Sequence, residues 1–185
     1  LSAIGSLRED FAPGHFVAVD QFIDRTGGGR DRSFFGPGLV AHVGLADPVC
    51  PRLSGLAADA AQAAGGMVHR GGCYVAIEGP QFSTRAESQW FAAAGFSLVN
   101  MTGYPEAVLA RELEICYAAI ALVTDLDAGV AAGEGVKAVD VFAEFEKNIE
   151  PFKGLVRRAI GRVAADRTCT HCLPHTGVTL PVELP

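Results

Sequence analysis

Apolar residues in this chain fall into short continuous runs, set apart by Gly, Pro and polar clusters. Phe16-Val17-Ala18-Val19 follows a Pro13-Gly14 turn and reads as a buried strand, as do Cys73–Ile77, Ser97–Met101 and Cys116–Val123. Between them the pattern turns helical. Pro51 to Ala64 is mostly Ala and Leu, with Pro at its start and Gly65-Gly66 beyond its end. Thr84-Arg85-Ala86-Glu87 has the form of a capping box and opens a helix that Gly95 ends. Pro105 opens another that reaches Glu112, and Ala138 to Ala165 reads as helical with a break at Pro151. From Asp24 to Gly38 the chain is rich in Gly, Arg and Asp and reads as a long exposed loop. Leu1-Ser2-Ala3-Ile4 reads as the end of a strand, so a segment is expected upstream.

Strands alternating with helices predict an α/β fold with a central parallel or mixed β-sheet flanked by helices. Continuous apolar strands are expected where helices cover both faces. One domain is expected over residues 1–165, followed by a C-terminal tail, 166–185. Ligands in such sheets gather where loops leave the strand ends. Here those loops are Glu78–Ser83, Thr102–Tyr104 and Thr124–Gly129.

Composition narrows the classes. With 49% hydrophobic and 19% charged residues, the chain can bury enough apolar surface to fold. A net charge of -6 without a basic stripe excludes a nucleic-acid backbone as the expected partner. No apolar run reaches membrane-spanning length and no signal peptide is visible, so a cytoplasmic protein is expected. Five irregularly spaced cysteines do not form a disulfide framework, which agrees with a reducing compartment.

Three loops carry candidate chemistry. Asn100-Met101-Thr102-Gly103-Tyr104-Pro105 joins a strand end to a helix start, where amides and the Thr102 hydroxyl suit an anion; an ordinary strand-to-helix turn reads the same way. In Glu78–Arg85, Phe82 offers a stacking face and Ser83 a polar handle for a planar ligand; a core Phe beside a spare capping Ser is the alternative. Asp125 and Asp127 leave an apolar strand on one side, if the strand continues. One carboxyl there can have a raised pKa and act as a general acid while the other supports it; a solvated turn is the alternative. The tail Cys169-Thr170-His171-Cys172-Leu173-Pro174-His175 has metal-ligand residue types but no second pair at finger spacing, so no metal is expected. Gly27-Gly28-Gly29 lacks a P-loop Lys and reads as a flexible loop.

Taken in order, Gly5-Ser6-Leu7-Arg8-Glu9, Asp20–Thr26, Glu78-Gly79-Pro80-Gln81-Phe82-Ser83-Thr84-Arg85-Ala86-Glu87, Asn100-Met101-Thr102 and Thr124-Asp125-Leu126-Asp127 resemble the trimeric purine nucleoside phosphorylase family. Within it they are most similar to the methylthioadenosine phosphorylase branch. The resemblance covers residues 1 to about 165. It implies phosphorolysis of a purine nucleoside, most simply S-methyl-5′-thioadenosine, with phosphate as co-substrate, no cofactor, and a homotrimer when the protein is complete. Ser2, Ala3 and Thr102 would contact phosphate, with Ser2 where the family usually has Thr. Met101 would line the ribose, and Phe82 would lie against the base. Ser83 and Asp125 would bond the purine edge, with Asp127 in support. His42 would reach a neighbouring subunit's 5′ pocket, whose apolar end Val139 and Phe142 would line.

Asp at 125 and Ser at 83 favour 6-aminopurines over 6-oxopurines, whereas Gly103-Tyr104 departs from the Thr-Val common in the methylthioadenosine enzymes and keeps inosine, guanosine or methylthioinosine as alternatives. The family's Gly-rich phosphate loop and an Arg-His pair precede these motifs. By that measure the N-terminal third is missing, leaving the fold incomplete at the N-terminus and the sheet unpaired beside Leu1. The chain would then be a piece of a longer enzyme or a defective copy, a poor enzyme alone, or a non-catalytic nucleoside-binding or trimer-forming fragment.

Overall fold

The computed structural model describes residues 1–36, 38, 40–130, 135–163, 169 and 172. The tail expected at 166–185 therefore lies outside the described residues except for Cys169 and Cys172, and His171 and His175 lie outside them.

The described residues form seven strands and five helices in the order β1 (Ser2–Ser6), β2 (Phe16–Ala18), β3 (Gln21–Arg25), α1 (Pro51–Ala63), β4 (Val68–Arg70), β5 (Cys73–Ile77), α2 (Arg85–Ala93), β6 (Leu98–Asn100), α3 (Glu106–Glu112), β7 (Ile120–Leu126), α4 (Ala138–Lys147) and α5 (Ile149–Ile160). The strands form one sheet in the order β3-β5-β6-β1-β7-β2-β4. It is mixed: β1 runs parallel to β7 and antiparallel to β6, and β2 runs antiparallel to β7. The expected α/β architecture is present.

The apolar runs explain the middle of the sheet. Ala121, Leu122 and Val123 of β7 are fully buried, as are Val75 and Ala76 of β5, because side chains cover both faces. Phe16, Ala58, Ala61, Leu122 and Leu155 pack α1 and α5 onto one face. Ile4, Val19, Tyr74, Leu98 and Val123 fill the other. The capping box is present: Thr84 Oγ1 accepts from Glu87 N, while Thr84 N donates to Glu87 Oε2 at 2.7 Å. No helix among the described residues is long and apolar enough to cross a membrane.

Four expectations need correction. Asp24–Gly38 is not wholly loop, since Gln21–Arg25 pairs in parallel with Cys73–Ile77. Val68–Arg70 is a strand that the sequence pattern did not reveal. The helical stretch after Ala138 breaks at Asn148, and Pro151 sits in the first turn of α5, where a missing N–H costs no helical bond. β1 is not an unpaired edge beside Leu1: it lies inside the sheet, with Gly5 and Ser6 bonded to β6 and Ser2–Ser6 to β7.

Candidate active site

The site is built where β1 and β7 run side by side. Their parallel register passes from Ile4↔Val123 to Gly5↔Asp125, so Thr124 is the extra residue of a bulge. Its hydroxyl lies 3.1 Å from the Ile4 carbonyl and 2.8 Å from Asp125 Oδ1. The bulge thus turns the strand end, with Asp125 and Asp127 both facing one cavity, as alternation suggested. A β-carbon at Gly5 would stand 3.1 Å from Asp125 Oδ2 and 3.2 Å from Val99 Cγ1, so only glycine leaves the carboxylate its place.

The two carboxyls are held differently. Burial pushes Asp125 up to about 6; the Thr124 bond opposes the rise, and the charge of Asp127 adds to it. Burial also raises Asp127, but it is better supported. Ser88 Oγ lies 2.5 Å from its Oδ2, and its own N–H donates to the Ser6 carbonyl at 2.8 Å. Ser83 also steadies Asp127, although its shielded Oγ makes no well-formed hydrogen bond and keeps its capacity for a ligand.

The cavity measures about 210 Å³. Of the residues singled out in the sequence, Ala3, Phe82, Ser83, Met101, Asp125, Asp127 and Phe142 line it. Apolar walls with a few convergent polar groups are the usual make-up of a small-molecule site. Phe82 is 44% exposed and Phe142 70% exposed, so both rings stand at its mouth.

Ser2 and Thr102 meet just outside that lining, at the Tyr74 hydroxyl. Thr102 Oγ1 lies 3.3 Å from it, and Ser2 and Thr102 both hold the phenol down against a burial that lifts it to about 12. Tyr74 was not foreseen, because a buried Tyr in an apolar strand reads as core.

Arg30 was also missed. It projects from the loop read as merely flexible and clamps two of the site loops. Nη1 donates to the Met101 and Tyr104 carbonyls at 2.7 and 3.1 Å, and Nη2 to the Glu78 carbonyl at 3.0 Å. Glu78 Oε2 in return accepts from Gly27 N at 2.8 Å. The signal available in the sequence was an Arg behind three glycines, which is weak.

Two residues stand apart. His42 is exposed and lines a separate hollow with Val40 and Val108. Val139 is 69% exposed and does not line the cavity; Val141 of the same helix does. Among the described residues the grouping with metal-ligand chemistry is Cys50, Cys116, Cys169 and Cys172, and none of these lines the cavity.

A mixed α/β sheet that gathers a shielded carboxyl and an aromatic face round one cavity at its strand ends has the make-up of a small-molecule site. Residues 1–161 match the phosphorylase superfamily, and the chain belongs to it. The S-methyl-5′-thioadenosine phosphorylases of Mycolicibacterium smegmatis and Mycobacterium tuberculosis are 62% and 63% identical to it. They align over 99% of this chain and 68% and 67% of their own lengths. A purine nucleoside phosphorylase of Streptomyces coelicolor is 44% identical over 90% of this chain and 63% of its own. Among solved structures, a methylthioadenosine phosphorylase from an Antarctic soil metagenomic library superposes with a TM-score of 0.86 at 39% identity, covering 95% of this chain and 62% of that one. The methylthioadenosine phosphorylase of Schistosoma mansoni in complex with adenine gives 0.83 at 35% identity, covering 89% of this chain and 65% of that one. The chain thus spans about two thirds of the length of the relatives it matches.

Proposed function

We propose that the protein cleaves S-methyl-5′-thioadenosine with phosphate, giving adenine and S-methyl-5-thioribose 1-phosphate. The observation that carries this is the Asp125 carboxyl, raised to about 6 by burial, in one cavity with Phe82 and Met101. Phe82 lies against the base and Met101 against the ribose, while Ser83 and Asp125 face the purine edge. Phosphate sits at the Ser2–Thr102 corner, where one of its oxygens bonds to C1′ as the C1′–N9 bond breaks. The breaking pair flows into the purine ring through an oxocarbenium-like transition state. Asp125 gives a proton to N7, which makes the purine a better leaving group. Hydrogen phosphate releases a proton on forming the ester, and that proton restores Asp125. Asp127 keeps Asp125 in place. Phosphate is a co-substrate, and no other cofactor takes part.

The test is adenine release from methylthioadenosine by the natural full-length protein, with and without phosphate. Phosphate-dependent release supports the reading; release without phosphate, or none, refutes it. A second reading, cleavage of 6-oxopurine nucleosides, rests on Gly103-Tyr104 in place of the Thr-Val common in the methylthioadenosine enzymes, and inosine in the same assay separates the two. The reading extends to a cytoplasmic homotrimer in which the exposed His42 reaches a neighbouring subunit. Light scattering that finds only monomer at micromolar concentration rules the trimer out.

A further inference from the structure

Four of the five cysteines have no part in that chemistry, yet the fold gathers them. Cys50 immediately precedes α1, Cys116 lies between α3 and β7, and Cys169 and Cys172 follow α5. The second pair that the tail lacks in sequence is supplied by segments far away in the chain. All four Sγ atoms lie within 4.8 Å of one another. We propose that Cys50, Cys116, Cys169 and Cys172 form a structural tetrathiolate zinc site that fastens the C-terminal tail to the start of α1.

The spacing favours a metal over a covalent bridge. Cys50 Sγ and Cys169 Sγ are 3.4 Å apart, and Cys169 Sγ and Cys172 Sγ 3.8 Å. A sulfur–sulfur bond is about 2.05 Å long. A tetrahedron with zinc–sulfur bonds of about 2.3 Å has edges of about 3.8 Å. The donor set is also selective: four thiolates suit zinc among common divalent ions, and a closed set of four leaves no open position for catalysis. Cys50, Cys169 and Cys172 are buried, and among the described residues Leu53 and Cys116 pack against them. Half of the site is fixed without the tail, because Cys50 N donates to the Tyr117 carbonyl at 2.7 Å and so ties the first two cysteine segments together. Cys169 and Cys172, three positions apart in the sequence, then complete the set of four.

Elemental analysis of the natural full-length protein, purified under reducing conditions, tests this. About one zinc per chain is expected, released by a mercurial that blocks thiols and reduced to under about a tenth in Cys169→Ser/Cys172→Ser. Because that variant could misfold, cobalt(II) is also exchanged into the unaltered protein, where strong visible absorption from tetrahedral thiolate coordination is expected. Metal-free protein in which Cys50, Cys116, Cys169 and Cys172 all titrate as thiols, a mass showing disulfides, or iron in place of zinc would overturn the proposal.

Discussion

The Asp125 carboxylate rests over the α-carbon of Gly5, across the register shift between β1 and β7. Glycine is required there for space, not for a positive φ. In Gly5→Ala the new methyl would stand 3.1 Å from Oδ2, so the carboxylate must yield by a few tenths of an ångström. Displacements of that order at a reacting group cost about tenfold in rate. The expected result is a kcat about tenfold lower with an unchanged fold by circular dichroism; unchanged kcat would separate Gly5 from catalysis.

Asp125→Asn should lower activity while raising stability. Removing a positioned acid costs about 10²-fold or more in kcat/KM. The stability sign follows from protonation. Burial raises the folded-state pKa from the ordinary 3.8 to about 6, so the folded chain holds its proton more tightly than the unfolded one. Below the unfolded value both states are protonated and the site carries no penalty. As pH rises through about 6, stability is lost, by up to ~3 kcal/mol at about 1.4 kcal/mol per pH unit. Asn carries no such charge. Urea midpoints should therefore favour Asp125→Asn at pH 8 and converge with the parent below pH 4. Equal midpoints at pH 8 would show that Asp125 is not strained by its surroundings.

Arg30 ties the Glu78 and Met101–Tyr104 loops by carbonyl bonds that a guanidinium fork reaches together. Lysine reaches only one of them. Arg30→Lys should raise the KM for nucleoside about tenfold through looser loops, with a melting loss of a few degrees from about 1–2 kcal/mol of lost charged hydrogen bonds. A variant with parental KM would make the clamp purely structural.

What the sequence made legible follows from where residue type alone decides. Cys73–Ile77 could be placed to the residue because an apolar run bounded by glycines has few other uses. The α2 cap was equally plain, since Thr84 and Glu87 satisfy each other's backbone. β3 was hidden because Gln21, Asp24 and Arg25 are polar and, among the described residues, it is an edge strand. β7 starts at Ile120, later than its apolar run, because the Tyr117 carbonyl is engaged by Cys50 N. Asp125, Ser83 and Phe82 could be named from their loops, but Arg30 and Tyr74 could not: their roles depend on contacts across 48 or more positions for Arg30 and on packing for Tyr74. The cysteine cluster shows the same limit, since Cys50 and Cys169 are 119 positions apart.

Tyr74 offers the sharpest test of where phosphate binds. Its ring is 1% exposed and packs against Phe22, so Phe fits without repacking. Its hydroxyl meets Ser2 and Thr102, the two hydroxyls assigned to the anion. In Tyr74→Phe these side chains keep their places but lose the group that orients them. The Thr102 bond is long at 3.3 Å, so the stability cost should stay near the low end of about 0.5–1.5 kcal/mol for a neutral pair. Binding should suffer more, because a hydroxyl that turns away from an anion forfeits a charge-assisted bond, worth about 1.5–3 kcal/mol. The KM for phosphate should therefore rise about tenfold or more, while the KM for nucleoside, set by Phe82 and Met101, changes less than about twofold. The split between the two constants decides the matter. If both rise together, the Ser2–Thr102 corner belongs to the nucleoside, and if neither moves, phosphate is held elsewhere.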